Sequence, residues 1–125
     1  MTSPRILVAD DDPANLELLQ VFLESKGYDV ATASDGNRAL DLGTSGDFEL
    51  VILDVHMPLY DGTEVLQMLR KRFLNHPIKI LALTGDARPE LREALRRDGA
   101  DGYMIKPVRL AALDEEVKRL LALQA

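Results

Sequence analysis

The 125-residue chain has no cysteine, which excludes both a disulfide framework and a thiolate metal site. That absence fits a reducing compartment, and the cytoplasm is the expected location. No apolar run approaches the ~20 residues that a membrane-spanning helix requires. Residues 1–20 also lack the layout of a signal peptide, so no membrane association is expected. Positive charge is scarce. Fifteen Lys and Arg stand against twenty-one Asp and Glu, a net charge of −6, so direct contact with nucleic acid is not expected. Repeats, low-complexity runs and Pro/Gly/Ser linkers are missing as well. What remains is ordinary globular composition, 46% hydrophobic and 29% charged, which argues against disorder. One domain over 1–125 is expected, with its core from about residue 5 to about residue 121, large enough to need no staples.

The stretch Leu50-Val51-Ile52-Leu53-Asp54 organises the rest. A short apolar run between turn signals reads as a strand buried on both faces, of the kind found inside parallel sheets. Further strands are expected over Arg5–Ala9, Tyr28–Ala33, Ile78–Leu83 and Gly102–Ile105. A first helix starts at Pro13 with Asp12 as its cap, carries Leu16, Leu19 and Leu23, and stops at Gly27. A weaker second helix lies around Arg38 to Leu42 and is ended by Gly43 to Gly46. The third follows Gly62, with Val65, Leu66, Leu69 and Phe73 on one side, until Asn75-His76-Pro77 breaks it. The fourth, Pro89–Arg97, offers only Leu91, Ala94 and Leu95 to a core, and its Arg92, Arg96 and Arg97 read as a solvated face. The fifth carries Leu110, Leu113, Val117, Leu120 and Leu121. Five β-then-α units with short connections imply an α/β fold with right-handed crossovers. Their natural packing is a doubly wound, five-stranded parallel sheet of order 2-1-3-4-5.

Such a sheet places its ligands beyond the carboxyl ends of the strands. There the sequence sets Asp10 and Asp11 after the first strand, Asp54 after the third, Thr84 after the fourth and Lys106 after the fifth. Crowded carboxylates suit a hard cation such as Mg²⁺. Asp11 and Asp54 are the expected direct ligands, Asp10 reaches through water, and the backbone carbonyl of His56 is a third protein oxygen. A carboxylate beside Mg²⁺ can attack phosphorus and become an aspartyl phosphate. Lys106 and Thr84 would then hold the remaining phosphoryl oxygens. Gly85 leaves room for the group against the backbone.

The runs Ile6-Leu7-Val8-Ala9-Asp10-Asp11-Asp12, Asp54-Val55-His56-Met57-Pro58-Leu59-Tyr60-Asp61-Gly62, Leu83-Thr84-Gly85 and Gly102-Tyr103-Met104-Ile105-Lys106-Pro107 resemble the receiver domains of two-component response regulators, which have a flavodoxin-like fold. The resemblance implies that Asp54 accepts a phosphoryl group from a sensor histidine kinase or a histidine phosphotransfer protein. It implies that Thr84 and Tyr103 move together on phosphorylation. This would alter the face made by the fourth helix, fifth strand and fifth helix, which is also a candidate dimer surface. The Lys106-Pro107 peptide is cis in similar proteins. The chain would be a signalling switch rather than an enzyme, assisting only its own phosphorylation and slow dephosphorylation. It would act on a downstream effector or a fused output domain. Receivers vary at His56 and Asp86, which are expected to flank the site and tune the attack of water on the acyl phosphate. No output domain follows Ala125, which leaves a stand-alone regulator or the receiver of a larger regulator or hybrid kinase. Two other classes fit less well. A phosphohydrolase would place its nucleophile in an Asp-x-Asp pair after the first strand, but Pro13 follows at once and there is no cap segment. A nucleotide or flavin module would need a phosphate loop where three acids stand.

Overall fold

The computed structural model describes residues 3–45, 47–57, 62–72 and 78–123. Among them, strands and helices alternate as β1 (Arg5–Ala9), α1 (Pro13–Ser25), β2 (Asp29–Ala33), α2 (Gly36–Ser45) and β3 (Leu50–Asp54). They continue as α3 (Gly62–Arg72), β4 (Lys79–Thr84), α4 (Pro89–Arg97), β5 (Gly102–Ile105) and α5 (Leu110–Ala122). Gly46, the Pro58-Leu59-Tyr60-Asp61 part of the third loop, Phe73 and the Asn75-His76-Pro77 breaker lie outside the described residues. All strand pairs are parallel, in the order β2-β1-β3-β4-β5.

Because strand side chains alternate between faces, the sheet sorts its apolar residues into two layers. Leu7, Val51, Leu53, Ile80 and Ala82 pack with residues of α2, α3 and α4. Ile6, Val8, Leu50, Ile52, Leu81 and Leu83 pack with α1 and α5. β3 is buried along its whole length, whereas the edge strands β2 and β5 are mostly half-buried. The helices are anchored unequally. α5 buries Leu113, Val117 and Leu120, but α4 buries only Leu95. At roughly 2 kcal/mol for a fully buried apolar side chain, α4 is held by far less apolar contact than α5.

α1 and α4 both start at a proline and close alike at their C-terminal ends, but only α1 has a side-chain N-cap, since Arg88 before α4 makes no capping bond. Asp12 Oδ1 accepts from the Ala14 N–H at 3.1 Å, with Pro13 in the first turn. At the other end, Gly27 has φ +93 and Gly99 after α4 has φ +109. Each starts a pair of closing bonds, Gly27 N–H to Glu24 with Tyr28 N–H to Leu23, and Gly99 N–H to Arg96 with Ala100 N–H to Leu95. This left-handed closure is the usual reason for glycine just past a helix.

The boundaries of β2, β4 and α2 differ from the sequence reading. β2 starts at Asp29 rather than Tyr28, and β4 runs Lys79–Thr84, so Thr84 closes the strand. More substantially, α2 starts at Gly36 rather than around Arg38 and runs through Gly43 to Ser45, inside the Gly43 to Gly46 stretch expected to end it. Gly43 is there because α3 presses on it: a Cβ at that position would lie 2.8 Å from Leu69 Cδ2 and 3.7 Å from Leu7 Cδ2. Gly43→Val is therefore expected to lower unfolding stability by about 2 kcal/mol through overpacking, measured by urea denaturation.

A polar clamp escaped the sequence reading. Arg70 on α3 donates to the carbonyls of Gly99 and Ile78 and pairs with the Asp101 carboxylate, which also accepts the Ile80 N–H at 2.8 Å. It ties α3 to β4 and to the turn between α4 and β5.

Candidate functional site

At the carboxyl edge of the sheet, Asp10 follows β1 and Asp54 closes the neighbouring β3, and the β5 exit supplies Lys106 between them. Lys106 Nζ lies 2.9 Å from Asp10 Oδ2 and 3.0 Å from Asp54 Oδ2. Asp10 is fully buried and Asp54 is 2% exposed. Buried charges of this kind are retained only when paired and hydrogen-bonded. Asp10 Oδ1 accepts the Asp12 N–H at 2.9 Å, and its Oδ2 also accepts from Asn15 Nδ2. Asp10 thus organises the turn into α1. Asn15 was missed because nothing but its position in the first turn of α1 marks it. Asp54 Oδ1 accepts the His56 N–H at 2.9 Å.

The two acids titrate in opposite directions. Burial pushes the Asp54 carboxyl above its usual range, aided by the charge of Asp10 and only partly opposed by the His56 N–H and Lys106. Burial acts on Asp10 too, but the Asp12 N–H, Lys106 and Asn15 outweigh it and hold that carboxyl below the usual range. Burial alone would lower Lys106. Its two carboxylate partners reverse this and raise it. Linkage gives each shift a pH window. Asp10 contributes stability above its ordinary value of 3.8 and loses it as pH falls through the depressed value. Asp54 works in reverse: above 3.8 the folded state holds its proton longer than the unfolded chain, so rising pH removes stability. Lys106 contributes below 10.5 and loses that contribution as pH rises through its raised value. In thermal unfolding without metal, the parent is expected to lose stability relative to Asp54→Asn as pH rises from 3.8.

Asp11 is exposed, yet one carboxylate oxygen from each of Asp10, Asp11 and Asp54 can lie within 4.8 Å of the others. Three clustered carboxylates, two of them paired with one ammonium, form a hard, oxygen-rich and net negative donor set, which fits a divalent cation.

Thr84 closes β4 beside Asp54 and is 1% exposed. By strand alternation it shares the face of Ile80 and Ala82, the layer of α4, whereas Asp10 and Asp54 share the face of α1 and α5. Tyr103 on β5 pairs with Ala82 and packs with the α4 layer. The chemistry-bearing edge and the α4 face therefore meet at Thr84. Its Oγ1 accepts the Asp86 N–H at 3.0 Å and lies 3.0 Å from His56 Nε2. His56 and Asp86 thus both reach Thr84. The Asp86 carboxylate is taken by Arg88, which binds it through Nε and Nη2. Gly85 is not demanded by packing, since a Cβ there would meet nothing within 4 Å. Arg92 does more than face solvent. Its guanidinium lies 4.9 Å from the centre of the Tyr103 ring, a cation–π stack. The Lys106-Pro107 peptide is cis. No helix among the described residues is long and apolar enough to cross a membrane.

The response regulator receiver domain family matches residues 6–118. PrrA, a transcriptional regulatory protein of Mycobacterium tuberculosis, is 39% identical over 121 residues, covering 97% of this chain and 51% of PrrA. The chain thus spans about half the length of that relative. A CheY-like response regulator receiver domain protein from Methanospirillum hungatei matches with a TM-score of 0.92 at 34% identity, covering 98% of this chain and 97% of that one. TrrA of Thermotoga maritima, solved in complex with Mg²⁺-BeF, matches with a TM-score of 0.82 at 41% identity, covering 94% and 98%. The strand order, the cluster of acids at its carboxyl edge and these similarities agree: the chain belongs to the response regulator receiver domain family, the signalling switches of two-component systems.

Proposed function

We propose that Asp54 accepts a phosphoryl group from the phosphohistidine of a sensor histidine kinase or a histidine phosphotransfer protein. The observation that carries this reading is the Lys106 bridge, 2.9 Å to Asp10 and 3.0 Å to Asp54. Asp54 is a buried carboxylate with a cation beside it, which supports its reading as an acceptor whose incoming phosphoryl oxygen Lys106 could meet. Asp10, Asp11, Asp54 and the backbone carbonyl of His56 would hold Mg²⁺, which when bound neutralises charge on the transferring group. Lys106 follows the phosphoryl group as its second cation, and the Thr84 hydroxyl donates to a third oxygen. Donation pulls Thr84 towards the phosphoryl group and away from the α4 layer. Tyr103, on that same layer, then responds, and the face of α4, β5 and α5 changes with it. The light anchoring of α4 supports this coupling.

On this reading residues 1–125 act in the cytoplasm as one receiver domain, assisting their own phosphorylation and slow dephosphorylation without turning over an external substrate. His56 and Asp86 tune the lifetime of the acyl phosphate. The output passes to an effector protein or a fused output domain, with the α4-β5-α5 face as the surface for that contact or for a dimer. PrrA, named as a transcriptional regulator, supports the fused arrangement. The test is incubation with acetyl phosphate and Mg²⁺, borohydride trapping and peptide mapping. Label confined to Asp54 and lost with EDTA is expected, and label on another side chain contradicts the reading.

A further inference from the structure

The His56 ring sits on the hydroxyl that the proposed function needs. Nε2 lies 3.0 Å from Thr84 Oγ1, and the Asp86 N–H donates to the same oxygen from 3.0 Å. A threonine hydroxyl has one proton and two lone pairs. The Asp86 N–H fills one lone pair, which leaves the proton and the second lone pair, and the tautomer of His56 decides which of them meets Nε2. Thr84 is buried, and among the described residues the His56 ring is the side chain within hydrogen-bonding distance of its hydroxyl. A neutral imidazole protonated at Nδ1 presents Nε2 as an acceptor. We propose that His56 is a positioning residue that holds the Thr84 proton in the resting state and so opposes capture of a phosphoryl group at Asp54. This inference rests on the reading of Asp54 as phosphoacceptor and Thr84 as donor. It differs from tuning of water attack, because it acts on how readily the phosphorylated arrangement forms.

The placement makes the hold both effective and releasable. The His56 N–H is bonded to Asp54 Oδ1 at 2.9 Å, which fixes the backbone that carries the ring. The residue itself is exposed, so the ring can turn into water once Thr84 leaves it. A phosphoryl oxygen is a charged acceptor and outbids a neutral ring nitrogen. His56 therefore sets a threshold rather than a block.

The test uses the full chain with Mg²⁺ and beryllofluoride as the phosphoryl probe, titrated by amide NMR. His56→Phe keeps the ring shape but removes the acceptor. It is expected to bind beryllofluoride roughly two- to tenfold more tightly, the worth of one hydrogen bond. His56→Gln, which restores an acceptor, is expected to return towards the parent. The ring ¹⁵N shifts of the parent are expected to show Nε2 without a proton before the probe and to move on its addition. In a Thr84→Val background, His56→Phe is expected to have no effect. Unchanged affinity in His56→Phe, an equal gain in the Thr84→Val background, or a proton on Nε2 in the resting protein would each overturn the inference. If acetyl phosphate still labels Asp54 in those cases, only the role of His56 falls. If Asp54 takes no label even in the parent, the underlying reading falls with it.

Discussion

Asp54→Asn is expected to abolish labelling by acetyl phosphate, a loss of more than about 100-fold, while Asp11→Asn and Asp10→Asn retain acceptance at Asp54 at reduced rate. The three acids are near neighbours, so the distinction is one of chemistry. Both oxygens of Asp10 are committed, to the Asp12 N–H, Asn15 and Lys106, and its depressed titration makes it a weak nucleophile. Asp11 has the freedom to react but no contact with Lys106 among the described residues. Asp54 combines a carboxylate made more basic by burial with an ammonium at 3.0 Å and a hydroxyl-bearing neighbour on the next strand. Intact-mass measurement after acetyl phosphate treatment reads the outcome, and a retained phosphoryl adduct in Asp54→Asn would contradict it.

Lys106→Met is expected to cost about 3 kcal/mol of unfolding stability at neutral pH without metal. The methionine keeps the length and apolar stem of the side chain, so the loss isolates the charge. Two buried carboxylates would then face each other with no cation in contact among the described residues. Partial exposure of the Lys106 side chain, 27%, sets the figure at the low end for a broken buried pair. Addition of Mg²⁺ is expected to recover more stability in the variant than in the parent, because a ligand of the folded state stabilises by mass action. Urea denaturation with and without Mg²⁺ measures both effects. A loss below about 1 kcal/mol would mark the ammonium as a surface charge.

The same site shows which features a sequence carries openly. β1 and β3 were readable because their buried runs need no partner to be recognised, and each ends in acids that packing does not require. The parallel order followed from strict alternation of elements, and that order alone brings Asp10, Asp54, Thr84 and Lys106 together. Gly43 was misread because glycine is an ordinary helix terminator, whereas its reason here is the side chain of Leu69 on another helix. Arg70 and Asp101 meet across thirty-one residues, a distance at which no local pattern operates. The contact of His56 with Thr84 depends on how far a ring reaches between two strand ends, and the stack of Arg92 on Tyr103 on how a helix lies over a strand. Such details belong to tertiary geometry rather than to periodicity.

The division of the sheet into two helical layers has an evolutionary consequence. Asp10, Asp54 and Lys106 are supported chiefly from the α1 and α5 side, whereas Thr84 and Tyr103 are supported from the α4 side, with the backbone of the sheet between them. Mutations on the outer surface of one layer need not disturb packing within the other. A lineage could exchange the outer residues of one layer and keep those of the other, and hybrids joining the outer residues of two sister proteins should still fold.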